Sequence, residues 1–161
     1  MNQRTRILIA VCIVLVLVGV VLGIDALRRG TRGPELPAGS VPIYVDGELV
    51  AGFTPDDLDQ LGKTSFVDPV EGKTQEGWLL RDVLLLHVDE ADLQPDTLIT
   101  VSSSSREKSA QLTWAEVSNP DHMVMFDLSN KGTLKLVSVL EKLDTRDEWV
   151  QDTDKIEVAA P

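Results

Sequence analysis

Gly77-Trp78-Leu79-Leu80-Arg81-Asp82-Val83-Leu84-Leu85-Leu86 is a strongly apolar stretch in a chain otherwise rich in charge. It predicts a buried helix that begins at Gly77, with Leu80, Val83, Leu84 and Leu86 packed against a sheet. The segments on either side read as strands and turns. Upstream, Ile43 to Val45, Asp46-Gly47 and Leu49 to Ala51 predict a β-hairpin, since Asp-Gly suits the positive φ angles of a type I′ turn. Thr54-Pro55-Asp56-Asp57 is a helix start with a capping residue, a proline in the first turn and acids at the positive helix end. That helix is expected to stop at Gly62. Thr64 to Val67 reads as a strand.

Downstream, Thr97 to Ser102 and Ala110 to Thr113 predict strands around the polar turn Ser103 to Lys108. A short helix is expected over Thr113 to Val117. Met123 to Leu128 and Thr133 to Val139 predict two more strands about the turn Asn130-Lys131-Gly132, and Asp144 to Trp149 a loop or helical turn. Lys155-Ile156-Glu157-Val158 alternates and predicts a final edge strand. Many short strands with two or three helices make an α+β domain with a mixed β-sheet and short helices. The domain is placed at 42–161.

The first residues have a different character. Residues 1–6 are a short basic head, and Ile7 to Ile24 is an apolar run of 18 residues without a charge. As a helix it spans roughly 27 Å, about the thickness of a bilayer core. The run is long for a signal peptide, and Gly23-Ile24-Asp25-Ala26-Leu27 offers no clean small-x-small cleavage site. A retained, single-pass N-terminal transmembrane anchor in the cell membrane is therefore expected over 7–24. Arg28, Arg29 and Arg32 on one side nearly balance Arg4 and Arg6 on the other. The order of basic head, apolar run and domain favours an extracytoplasmic domain. Gly19 and Gly23 form a GxxxG pair, a weak signal for packing against a helix of a membrane complex or of a second copy. Residues 25–41 are rich in Gly, Pro and Arg and read as a linker.

Charge excludes one class of partner. The chain carries 15 basic and 26 acidic residues, a net of −11. Five of the basic and one of the acidic residues precede Pro34, which leaves 10 basic and 25 acidic residues and a net of −15 from there on. Such a surface repels nucleic-acid phosphates. No nucleic acid is expected as a partner.

Motifs for chemistry are sparse. There is no P-loop, GxGxxG, GxSxG, CxxC or HExxH. The one cysteine, Cys12, lies inside the apolar run. His87 reads as a boundary residue at a helix end and His122 as a solvated turn residue. Ser102 to Ser105 lack the glycines and the helix of a phosphate loop and read as a hairpin tip. Asp89, Glu90, Asp92 and Asp96 do not have the spacing of an EF-hand. No catalytic, metal or cofactor residue is assigned.

Taken in order, several of these segments resemble one family. Ile43-Tyr44-Val45-Asp46-Gly47 and Phe53-Thr54-Pro55-Asp56-Asp57-Leu58 look like the opening of the oxidoreductase molybdopterin-binding domain of the sulfite oxidase type. Gly77 to Leu84 resembles its Gly-x-x-Leu-Arg-Asp-Leu-Leu helix, and Leu98 to Ser103 the strand leading to its substrate-side loop. Leu134-Lys135-Leu136-Val137 is similar to its Leu-Arg-Leu-Val strand. Leu143 to Val150 with Ile156-Glu157-Val158 resembles its close. The resemblance implies a sulfite-oxidase-like fold, and in the family a pyranopterin and a molybdenum held by a cysteine. This chain departs from that pattern. Its domain has no cysteine, and Ser104-Ser105-Arg106-Glu107 replaces the family's Asp-Gly-Tyr. The expectation is thus a membrane-anchored, non-catalytic binding or accessory module with no cofactor. The alternatives are a membrane-anchored molybdopterin-dependent oxidoreductase, or a small-ligand sensor using the former cofactor cleft. Trp78, Arg81, Arg106 and Arg146 are the candidate contacts for a ligand or partner.

Overall fold

A computed structural model describes residues 34–161 of the chain. The expected anchor over Ile7 to Ile24 and the Gly19/Gly23 pair lie outside the described residues. Among the described residues, no helix is long and apolar enough to cross a membrane.

The chain folds into two sheets. Strands β1 (Val41–Val45) and β2 (Glu48–Phe53) form the expected hairpin, with Asp46 and Gly47 at φ of 50° and 82° in its two-residue turn. The chain already packs before β1: Leu36 lies over Gly52, where a β-carbon would crowd it. Pro55–Gln60 is a 3-10 helix rather than an α-helix, opened by Thr54, whose backbone N–H donates to Asp57 at 2.7 Å. Then come β3 (Thr64–Val67), β4 (Thr74–Leu79), α1 (Leu80–Leu85), β5 (Leu98–Ser103), β6 (Lys108–Thr113), α2 (Trp114–Ser118), β7 (Met125–Leu128), β8 (Leu134–Val137) and β9 (Lys155–Ala159).

The larger sheet has the order β2-β1-β9-β5-β6, and the smaller β3-β4-β7-β8. The pair β1–β9 is parallel; the other named pairs are antiparallel. The class is α+β with one mixed and one antiparallel sheet and short helices.

Three expectations need correction. The first concerns Gly77-Trp78-Leu79, which is the end of strand β4 and not a helix start. Trp78 pairs with Phe126 on β7, and the chain turns into α1 only at Leu80. The close approach of β4 to β7 needs glycine at position 77, where a β-carbon would collide with the Phe126 carbonyl. The second is β9, which is the middle strand of the larger sheet, with Ile43 on one side of Ile156 and Val101 on the other. Alternation reports one buried face, and an edge and a central strand share that property. The third is Leu86, which is 40% exposed. Leu80, Val83 and Leu84 are fully buried, and the next position on their i, i+3, i+4, i+7 stripe is residue 87. His87 takes that place and stacks on Phe53, with ring centroids 5.9 Å apart.

The two sheets and α1 contribute to one buried cluster. Ile43, Ile99, Val101, Leu112, Ile156 and Val158 come from the larger sheet; Trp78, Phe126, Leu134 and Leu136 come from the smaller. Register explains it. Ile43, Ile156, Val101 and Ala110 lie abreast across the larger sheet, as do Trp78, Phe126 and Leu136 across the smaller. The residues between them in sequence face the other way.

Candidate functional site

The outer face of the smaller sheet carries a row of polar residues where the inner face carries core. Asp127 on β7 is the register partner of both Gly77 on β4 and Lys135 on β8. The Lys135 ammonium donates to Asp127 Oδ2 at 2.9 Å and to Gln75 Oε1 at 2.8 Å. It also stands 4.9 Å from the centre of the Trp149 ring. Lys135 and Asp127 keep only 18% and 17% of their side-chain surface, so this pair is shielded far more than an ordinary surface pair. Met125, Val137 and Trp149, with Phe66 and Leu79, form a small apolar cluster beside it.

Trp149 is brought over the sheet by the segment after β8. Thr145 accepts the backbone N–H of Glu148, the Trp149 indole donates to the Leu143 carbonyl at 3.0 Å, and Val150 bridges to Leu136. Arg146, on the same segment, is thereby set at the rim.

A turn between β3 and β4 supplies the opposite rim. Asp68 is buried and accepts the Val70 N–H at 2.8 Å, while its own N–H donates to the Lys73 carbonyl. Glu71 at this turn binds Lys73 at 2.8 Å and Arg146 at 3.3 Å. The Lys73 ammonium and then the Arg146 guanidinium hold the Glu71 carboxyl below the usual carboxylate range. Between the rims lies a groove of about 420 Å³, walled by Lys73, Lys135, Arg146 and Trp149 among others.

A second cavity of about 210 Å³ adjoins the first and shares Arg146, Trp149 and Gln151 with it. Its remaining cations come from the β5–β6 hairpin. Arg106 at the turn binds Asp152 at 2.6 Å, and the Lys108 ammonium donates to the Asp147 carbonyl. The Thr133 hydroxyl and then Arg106 hold the Asp152 carboxyl below its usual range.

The structure therefore brings two of the four candidate residues together. Arg106 and Arg146, 40 positions apart in sequence, line one cavity. The other two lie elsewhere. Trp78 is 2% exposed in the main core, with Lys63 over its ring at 4.8 Å. Arg81 binds Asp82 at 2.9 Å and the Ser118 carbonyl at 3.4 Å. Gln75, Asp127, Lys135 and Trp149 were not singled out by sequence. For Asp127 and Lys135 a signal was present: each is the one polar residue of its strand, Met125–Leu128 or Leu134–Val137, and the two strands meet about the intervening turn.

Neither histidine belongs to the groove. His122 is half-buried rather than solvated, with Nδ1 2.8 Å from the Glu116 carbonyl and Nε2 3.2 Å from the Asn119 side-chain amide. With the proton on Nδ1, both contacts are satisfied. Burial pulls the His87 imidazole below its ordinary value of 6.5, against the opposing charge of Asp57. Among the described residues, no group of three or more His, Cys, Asp or Glu side chains is placed to hold a metal.

Compared with known protein families the chain matches none, and no curated protein matches it. The residues can be tested directly against the cofactor that the sulfite-oxidase-type resemblance implies. A thiolate fixes molybdenum in that family, and residues 34–161 contain no thiol. The groove offers ammonium, guanidinium, amide and ion-paired carboxylate groups instead. This donor set does not fit the group.

Proposed function

We propose that this chain is a membrane-anchored, non-catalytic binding or accessory module. In this reading residues 7–24 hold it in the cell membrane by a single pass, and the folded domain is extracytoplasmic. The fold is that of a pared-down sulfite-oxidase-type domain, a reading supported by the collinear resemblance from Ile43 to Val158. The observation that carries the proposal is the groove on the outer face of the smaller sheet. It gathers cations and an aromatic ring in a domain that is otherwise acidic, and it holds no nucleophile paired with a base.

The groove's carboxylates argue the same way. An acid or base working near neutral pH needs a carboxyl raised toward that range. Glu71 is shifted in the opposite direction. Asp127 is committed to Lys135. Glu71 is suited to holding a shape rather than to moving protons. The sensor reading shares this surface through Arg146, and the cavity beside it through Arg106 as well, whereas the oxidoreductase reading needs a thiolate that the domain lacks.

The test compares the full chain with Arg106→Glu/Arg146→Glu, both extracted in mild detergent. The expected result is that both fractionate with membranes and resist alkaline wash, and that the proteins retained by the parent are lost from the variant. Release of the chain by alkaline wash would remove the anchor. An unchanged set of retained proteins on a folded variant would remove the groove as the binding face.

A further inference from the structure

Arg106, Lys108 and Arg146 converge on the 210 Å³ cavity beside Trp149, and Asp147 is the one carboxylate in its wall. We propose that this cavity binds a small multivalent oxyanion, such as the phosphate or polycarboxylate group of a soluble metabolite. The proposal rests on the groove being the module's binding face and names its ligand class.

Donor arithmetic supports it. A guanidinium has five N–H donors in a planar fork matched to paired oxygens. Among the described residues, Arg106 engages protein through Nε alone, to Asp152, and Arg146 through Nη1 alone, to Glu71. Lys108 has three donors and spends one on the Asp147 carbonyl. Most of the donors on three cations thus lack a protein acceptor. Arg106 and Arg146 are about half exposed, with 47% and 58% of their side-chain surface open, so a ligand reaches them without rearrangement of the core.

Unspent donors, rather than net charge, favour an oxyanion. The wall carries Arg106, Lys108 and Arg146 against Asp147, and with Asp152 and Glu71, which pair with the two arginines, the local count is three of each sign. Each of those two carboxylates engages one guanidinium nitrogen and leaves the rest of the fork to a ligand. The remaining acidic surface is screened over a Debye length of about 8 Å at physiological salt, so it lowers the rate of arrival more than the strength of contact. Trp149 supplies the aromatic part of the wall.

The test is calorimetric titration of the full chain in neutral detergent with pyrophosphate and, separately, with citrate. Expected is saturable one-site binding of at least one of them in the millimolar range or tighter. Arg106→Gln/Arg146→Gln should weaken it by about tenfold or more, the loss of charged hydrogen bonds. Lys108→Gln should weaken it less, and Lys155→Gln should leave it unchanged. Both arginines form exposed pairs of small energetic weight, so the variants keep the parent's melting transition; Lys108→Gln provides the reading if the double variant does not. Tighter pyrophosphate would assign a phosphate ligand and tighter citrate a carboxylate one. Absence of saturable binding of both, or equal binding by the arginine variant, would overturn the proposal. If partner release by Arg106→Glu/Arg146→Glu still held, the module reading would survive that failure.

Discussion

The two faces of the smaller sheet are built from the same three strands by opposite rules. On the inner face Trp78, Phe126 and Leu136 lie abreast and nearly dry. On the outer face, one residue along each strand, Gly77, Asp127 and Lys135 lie abreast, and Trp149 covers them from outside the sheet. The inner row gains its stability from apolar area removed from water, which is indifferent to direction. The outer row depends on placed polar groups whose worth is conditional on a partner. The first face therefore holds the fold and tolerates no charge. The second holds its own charges shielded and paired, and leaves accessible cations only at its rim, on Lys73 and Arg146.

The largest effect should come from placing a charge in the inner core. Leu84→Asp puts a carboxylate with no partner among fully buried side chains, at a cost of at least about 4 kcal/mol. That is a large share of a domain's stability, so circular dichroism should show no cooperative melt. A melt near the parent temperature would break the contrast at its inner side.

A smaller effect is expected from the outer row. Lys135→Met leaves Asp127 shielded and unpaired, and should cost about 1–2 kcal/mol after allowance for the solvent that still reaches the pair. Lys135→Met/Asp127→Leu removes both charges and should recover most of that loss. Urea midpoints of the two variants and the parent test this; a double variant no more stable than Lys135→Met would show that Lys135 acts through Trp149 or Gln75 instead.

The smallest effect separates the two regions by pH. The folded His87 ring titrates below its ordinary value of 6.5 because burial disfavours the imidazolium. Its neutral form contributes stability that is fully present above that value and is lost as pH falls through it toward the folded pKa. Glu71 and Asp152 are also lowered, from ordinary values of 4.5 and 3.8, so their contribution is lost only as pH falls below that range. Urea midpoints should therefore fall between about pH 7 and pH 5.5 in the parent and fall less in His87→Phe. Equal slopes would place the ring in water.

Local chemistry made part of this architecture readable in advance. Asp46-Gly47 permitted only a tight hairpin, and Thr54-Pro55 marked a helical turn whose 3-10 form followed from its shortness. The run from Gly77 to Leu86 misled because strand β4 and helix α1 are both apolar there, and hydropathy does not register the switch at Leu80. The place of β9 in the middle of its sheet is set by pairing with β1 and β5, more than 50 residues away in sequence, and no local pattern reports it. The groove was legible only in fragments. Arg106 and Arg146 were visible as candidate contacts, but their meeting in the adjoining cavity depends on a hairpin tip and a segment that the larger fold brings together. Trp78 was a candidate contact as well, and its indole fills the core.

The measurement that bears most directly on the non-catalytic reading is the molybdenum and pterin content of the full-length chain. It would be purified in mild detergent from a host that synthesises molybdenum cofactor. The account predicts neither, because residues 34–161 offer no thiolate to fix the metal and the groove's carboxylates are held in ion pairs. Molybdenum in stoichiometric amount, retained through purification, would contradict it and establish a cofactor-bearing oxidoreductase with an unfamiliar ligand set.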